Sequence, residues 1–195
     1  MFLSKKFVTP KKVEPGMFYY ADGLIFPELI KDSQVSAIVG CVDRNHGLAL
    51  GLRETELPWS STWLYVDMPS GLRGKEATSL ILKTAKEKQE NAEAAEWCAE
   101  YAFDGIKAGT GFLPSKEELK RIFGNRKKLR ESFALLNSGG LSGNCLQEDA
   151  FYWSSSEGNA TTPGSSGRPT ASWATALRVS VAAFVVSSLF NTLPI

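Results

Sequence analysis

His46 is the only imidazole in the chain, and it sits in the turn-like stretch Asp43-Arg44-Asn45-His46-Gly47. A general base or a zinc ligand needs partners at short range: a nucleophile it can hydrogen-bond, or further nitrogen, sulfur or carboxylate ligands. No second histidine or cysteine stands at ligand spacing, so a solvated turn histidine is expected. The cysteines are Cys41, Cys98 and Cys145. Their number is odd and none belongs to a CxxC pair, which points to reduced, mostly buried thiols rather than a disulfide framework. Cys98 follows Trp97 in a helical stretch and reads as a core thiol rather than a nucleophile. The glycine-rich stretches 139–143 and 164–167 lack a following Lys-Ser/Thr, which excludes a phosphate loop. Lys116, Lys120, Arg121, Lys127, Lys128 and Arg130 are interleaved with Glu117, Glu118 and Glu131, the pattern of a solvated face. The residues therefore predict no catalytic centre, no metal site and no cofactor.

The elements that would carry any site run strands, then helices, then strands, which is an α+β order and not alternating βαβ. The 195 residues suit one domain, preceded by a Lys-rich arm over 1–16 with Pro10 and Pro15. Met17 to Tyr20 and Leu24 to Phe26 predict a small hairpin around the Asp22-Gly23 turn. Val35 to Val42 and Leu48 to Leu52 predict a second hairpin, closed by the Asn-His-Gly turn. Residues 53–73, with Pro58, Trp59, Trp63, Pro69 and Gly71, read as loop. Glu76 to Glu100 reads as helix with a break near Asn91. Leu80, Ile81, Thr84 and Ala85 form its apolar stripe, joined later by Ala95, Trp97 and Cys98. Ser115 and Glu118 form a capping box that starts a helix with Leu119, Ile122 and Phe123 inward and its end at Gly124-Asn125. Lys127 to Leu136 is a further helix, stopped at Gly139-Gly140. A strand starts at Phe151, and nothing beyond it reads as helix. A formal net charge of +1 gives no field toward nucleic acid. No apolar run is long enough for a membrane span, and no export signal is visible at the N-terminus.

The last 38 residues, Gly158 to Ile195, contain no Lys, Glu, Gln or Met, although these four types number 35 in the whole chain. An even spread would place about 7 of them there. Strand-rich or low-complexity sequence avoids Lys and Glu as well. The genetic code offers a sharper reading. Codons that begin as AAY and change only at adenines reach fifteen residue types, but never Lys, Glu, Gln, Met or Trp. The run from Val181 to Thr192 draws entirely on that reachable set, and it lacks the period-2 alternation of a strand that buries one face. Trp153 and Trp173, encoded by a codon without adenine, would stay fixed under such a process. Exposed apolar residues in such a run would make a patch suited to binding.

Gly111-Phe-Leu-Pro-Ser-Lys-Glu-Glu-Leu119, Tyr152-Trp-Ser-Ser-Ser-Glu157 and Ser172-Trp173 together resemble a C-type-lectin-like domain of the formylglycine-generating-enzyme type. His46-Gly-Leu-Ala-Leu50 and Trp97-Cys98 resemble it too. The resemblance covers about residues 17–195 and implies short antiparallel strands around a few helices, with irregular loops. It also implies that Trp153 and Trp173 belong to the core. Members of this group include adhesin modules and the variable proteins of diversity-generating retroelements, in which adenine-directed errors alter the 3′ end of the gene. The formylglycine-generating activity uses paired cysteines near the C-terminus, and this chain has none after Cys145. The calcium motifs of sugar-binding lectins are absent, and Glu157 and Asn159 are weak cation candidates. The chain departs from the family in stopping at Pro194-Ile195, where an Arg-containing final strand is usual.

These observations favour a non-enzymatic ligand- or receptor-binding protein of a phage particle or cell surface, synthesised in the cytoplasm and diversified over about residues 158–192. The expected contacts are Thr170, Ser172, Ala174, Val181, Ala182, Ala183, Val185, Val186, Ser187, Ser188, Leu189, Phe190 and Asn191, with the loop from Gly158 to Thr162 beside them. The expected partner is a protein or cell-surface ligand, glycans included. The alternative is a pilus-associated or carbohydrate-binding adhesin module with a fixed aromatic site drawn from Trp59, Trp63 or Tyr152. An enzyme on the same fold would need a convergent polar pocket. Sequencing the genomic neighbourhood separates the first two. The retroelement reading expects a near-copy of the gene's 3′ end, differing mainly at adenines, beside a reverse-transcriptase gene; absence of both favours the adhesin.

Overall fold

The structure, a computed structural model, describes residues 12–43, 46–62, 64–141, 143, 146, 151–156 and 178–186, the last stretch and Phe151 by backbone alone. Helices and strands are mixed, and the strands form one mostly antiparallel sheet. Strands β1 (Phe18–Tyr20) and β2 (Ile25–Phe26) make the first hairpin, and β3 (Val35–Asp43) and β4 (His46–Glu56) the second. Helices α1 (Gly74–Lys88) and α2 (Glu93–Glu100) follow, then β5 (Gly111–Phe112), α3 (Lys116–Gly124) and α4 (Arg126–Ser138). Strands β6 (Phe151–Tyr152) and β7 (Arg178–Val186) complete the order. The sheet runs β2-β1-β3-β4-β7-β5, and β6 pairs with β7 in parallel.

Why the sheet is stable is plainest at β3. Every residue from Val35 to Cys41 is buried, so the strand is covered on both faces. Ile38 joins Leu50, Phe112, Leu119, Ile122, Leu129 and Leu136 on the side of α3 and α4. Its neighbours Ala37 and Val39 join Ala49, Ala94, Cys98 and Tyr101 on the side of α2. Small residues on that second side let α2 approach closely. A third cluster, with Leu64, Val66, Ile81, Ala85 and Ala95, fills the space between α1, α2 and the loop before them. The arm at 12–16 is tied in: Val13 is buried, and Gly16 donates to the Val39 carbonyl at 2.8 Å.

The helix break expected near Asn91 falls at Gln89, whose φ of 57° ends α1 in the left-handed conformation. The capping box at Ser115 and Glu118 is present, with Leu119 and Ile122 buried beneath it and Phe123 half-buried. Strand β4 extends through Glu56, well past the expected end at Leu52. The extension is polar because β7 supplies its backbone partners: Glu54, Thr55 and Glu56 pair with Val181, Ser180 and Val179. Between Leu50 and Glu54 the register slips, and the Tyr101 hydroxyl there accepts from Arg53 N at 3.2 Å. The short β5 carries no sequence pattern of its own and exists through pairing with β7.

Gly51 lies beneath the Tyr101 ring, where a β-carbon would stand 2.6 Å from Cζ. Tyr101 is 1% exposed, so the ring has little room to retreat. Gly51→Ala is expected to cost about 1–3 kcal/mol through overpacking, read as a lower urea midpoint. A midpoint equal to that of the parent would show that Tyr101 is loosely held.

Candidate functional site

The stretches Leu113 to Glu118 and Tyr152 to Ser156 meet in space, and what they build is a clamp. The Glu118 carboxylate turns back on its own helix start: Oε2 accepts from Ser115 N at 2.7 Å and from Gly74 N at 3.0 Å. One side chain thus holds the first turns of both α3 and α1, and the Ser115 hydroxyl accepts from Glu118 N at 3.3 Å. Gly74 has to be glycine here, since a β-carbon would collide with Glu118 Oε2 and stand 2.7 Å from the Leu113 carbonyl. Thr78, buried on α1, accepts from Leu113 N at 3.0 Å. The turn from Leu113 to Lys116 is therefore pinned from two helices.

That turn holds the next motif. Ser155 N donates to the Pro114 carbonyl at 2.8 Å, and Lys116 N donates to Ser156 Oγ at 2.9 Å. The tryptophans close the other side. Trp153 Nε1 donates to the Leu57 carbonyl at 2.7 Å, and Trp59 Nε1 donates to the Ser154 carbonyl at 3.1 Å. Both rings pack against the α2-side core. Tyr152 donates to Glu54 Oε1 at 2.6 Å and stacks edge-on against Phe123, with ring centres 5.2 Å apart. The same Glu54 oxygen accepts from Leu146 N at 2.6 Å, and the Arg130 guanidinium donates to the Leu146 carbonyl at 3.1 and 3.2 Å. Leu146 has a φ of 62°, an unfavourable conformation for leucine, and it is held there by a carboxylate on one side and a guanidinium on the other.

Ser156 is the last described residue before the compositionally abnormal tail, and Arg178 resumes the description opposite Phe151. Both ends of the 157–177 stretch thus leave from fixed backbone. Beside Ser156 lies a shallow groove of about 180 Å³, lined by Met68 to Leu72 and Ala77.

Of the expected contact residues, Thr170, Ser172, Ala174, Ser187, Ser188, Leu189, Phe190 and Asn191 lie outside the described residues, as do Gly158 to Thr162, Glu157, Trp173, Trp63 and Cys145. Val181, Ala182, Ala183, Val185 and Val186 lie on β7. β7 pairs through its backbone with β4 on one side and with β5 and β6 on the other. Ala183 stands between Leu50 and Phe112, and Phe184 between Ala49 and Gly111, all four buried. Val181 stands beside the half-exposed Glu54.

Trp59 and Tyr152, the aromatic candidates for a fixed sugar site, spend their polar ends on Ser154 and Glu54 inside the clamp. His46 is exposed and pairs through its backbone with Asp43. Burial pushes the Cys41 thiol from its ordinary 9.0 up to about 11, and burial pushes Cys98 up as well. Both thiols stay protonated near neutral pH, the state of a core residue and not of an activated nucleophile. Among the described residues no group of His, Cys, Asp and Glu could hold a metal ion, and no helix is long and apolar enough to cross a membrane. The clamp could be suspected from sequence through the Ser115–Glu118 box alone; the Glu54, Leu146 and Arg130 linkage had no local signal, since its members lie far apart in the chain. No family model, curated protein or solved structure matches this chain.

The clamp predicts an asymmetry between adjacent glutamates. Glu118→Ala should cost about 2–3 kcal/mol, because it strips a charged acceptor from two backbone donors. Glu117→Ala, at an exposed position, should stay within about 0.5 kcal/mol. Urea unfolding of both variants checks this, and equal effects would contradict the clamp.

Proposed function

We propose that this chain is a ligand-binding protein of the C-type-lectin-like kind, in which a rigid clamp carries a C-terminal segment diversified by adenine-directed retroelement mutagenesis. The observation that carries the reading is the sharp change of composition at the clamp. Up to Glu157 the chain uses the full amino-acid alphabet; beyond it, Lys, Glu, Gln and Met vanish. A binding surface that varies needs attachment points that do not, since loose ends would spend binding energy on ordering. Tyr152 to Ser156 offer such an attachment, each tied to another part of the frame by at least one hydrogen bond.

In this reading the ligand meets the segment of about 158–192, through Thr170, Ser172, Ala174, Val181, Ala182, Ala183, Val185, Val186, Ser187, Ser188, Leu189, Phe190 and Asn191. Val181, Ala182, Ala183, Val185 and Val186 lie on β7, whose backbone pairing with β4 holds this part of the segment in place. The ligand is a protein or glycan on a cell surface, and recognition rests on shape and polarity, with no covalent chemistry.

The test is a block variant in which Thr170, Ser172, Ala174, Ser187, Ser188 and Asn191 are replaced together by other residues of the adenine-reachable set. Six surface changes of up to about 0.5 kcal/mol each sum to at most about 3 kcal/mol, so Tm should move by no more than about 6–12 °C. Adsorption to the cell surfaces that the parent chain recognises in a whole-cell panel should be lost. A collapse of Tm, or unchanged adsorption, would overturn the assignment.

A further inference from the structure

We propose that copies of this chain associate with one another through oppositely charged helical layers, the α3–α4 layer of one copy meeting the α2 layer of the next. The two layers lie on opposite sides of the sheet. Leu119, Ile122 and Leu129 of α3 and α4 pack with Ile38 and Leu50, whereas Ala94 and Cys98 of α2 pack with Ala37, Val39 and Ala49. Their charges differ in sign, the acidic run lying between Lys88 at the end of α1 and Lys107. From Gln89 to Ile106 the chain carries Glu90, Glu93, Glu96, Glu100 and Asp104 and not one Lys or Arg. From Lys116 to Glu131 it carries Lys116, Lys120, Arg121, Arg126, Lys127, Lys128 and Arg130 against Glu117, Glu118 and Glu131.

Internal ion pairs cancel only part of this. Arg121 pairs with Asp43 at 2.7 Å, Lys128 lies 3.7 Å from Glu14, and Arg53 takes Asp104 at 3.1 Å. Lys116, Lys120, Arg126 and Lys127 are exposed, with no ion pair among the described residues. On the acidic side, Glu93 accepts from Ser61 N and Glu96 from Ala92 N, bonds that orient the carboxylates without cancelling their charge. Glu100 is exposed.

At two helix ends the charges run against the helix dipole, whereas Glu93 and Glu96 at the start of α2 and Glu117 and Glu118 at the start of α3 agree with it. An N-terminus favours anions and a C-terminus cations. Helix α4 begins Arg126-Lys127-Lys128 with no acidic residue in its first turn, and α2 ends at Glu100 with no basic residue in its last. Each helix end thus repeats the sign of its own dipole. Bringing the α4 start of one copy to the α2 end of another relieves both conflicts in a single contact. A near-neutral chain, with formal net charge +1, meets little overall repulsion on approaching its copy. The contact is head-to-tail, so it closes into a ring or continues as an open chain of copies.

Sedimentation velocity on the full chain tests this in about 0.01 M salt, where the screening length is about 30 Å, and in about 1 M salt, where it is about 3 Å. The expected result is at least about a twofold rise in weight-average mass at low salt, lost at high salt. Arg126→Glu with Lys127→Glu should abolish the rise, and so should Glu96→Lys with Glu100→Lys. An equimolar mixture of these two reversed chains should regain it at low salt. Circular dichroism checks that each variant is folded, and Glu100→Lys alone replaces the acidic-side pair if Glu96 proves necessary for α2. A monomeric parent at low salt, association indifferent to salt, or a mixture that stays monomeric each overturns the proposal. Binding of the monomeric parent to added poly-glutamate overturns it as well, because the basic layer then serves a different acidic partner.

Discussion

One carboxylate organises the region that matters most. Glu118 accepts hydrogen bonds from the starts of two helices and fixes the turn between Leu113 and Lys116 in a single geometry. Through Pro114 and Lys116 that turn fixes Ser155 and Ser156, and through Trp153 and Trp59 the same stretch is fixed to the end of β4 and the loop beyond it. Hydrogen bonds to an ionised group are among the stronger ones available to a protein. Here they act where the chain passes from a fully mixed sequence into one with a restricted alphabet.

The frame behind the clamp is ordinary hydrophobic construction. β3 is buried on both faces, larger side chains face α3 and α4, and smaller ones face α2. β7 enters this sheet late in sequence, between β4 and the short β5, so β4 is separated from this neighbour by more than a hundred residues. The abnormal tail thereby supplies both a structural strand and two stretches outside it. The strand's demand on side chains is met by Val, Ala and Phe, all within the adenine-reachable set. A region can then vary at its ends while its middle still forms a ladder, because ladder bonds are made by backbone.

Much of the frame was legible in the residues. The hairpins, the helix break before α2 and the Ser115 capping box each rest on local rules of turn chemistry and periodicity; the capping box is where those rules put it, the break falls at Gln89, and His46 and Gly47, expected in a turn, already belong to β4. The α+β class followed from element order. What stayed hidden was non-local. The polar half of β4 and the two-residue β5 are strands only because β7 pairs with them. The place of β7 in the ladder had no local signal either, since its partners β4 and β5 lie far away in sequence. The Glu54, Leu146 and Arg130 linkage joins distant residues through a backbone unit, and no spacing rule anticipates that.

The central claim is a division of labour between a fixed clamp and a tolerant segment. Two libraries displayed on a surface and sorted for protease resistance measure it directly. One randomises 158–177 and 187–191 within the adenine-reachable set; the other randomises 113–118 and 152–156. The account predicts that most members of the first survive digestion and most of the second do not. Comparable losses in both would mean that the tail is held by packing as specific as the clamp's, and the division would be gone.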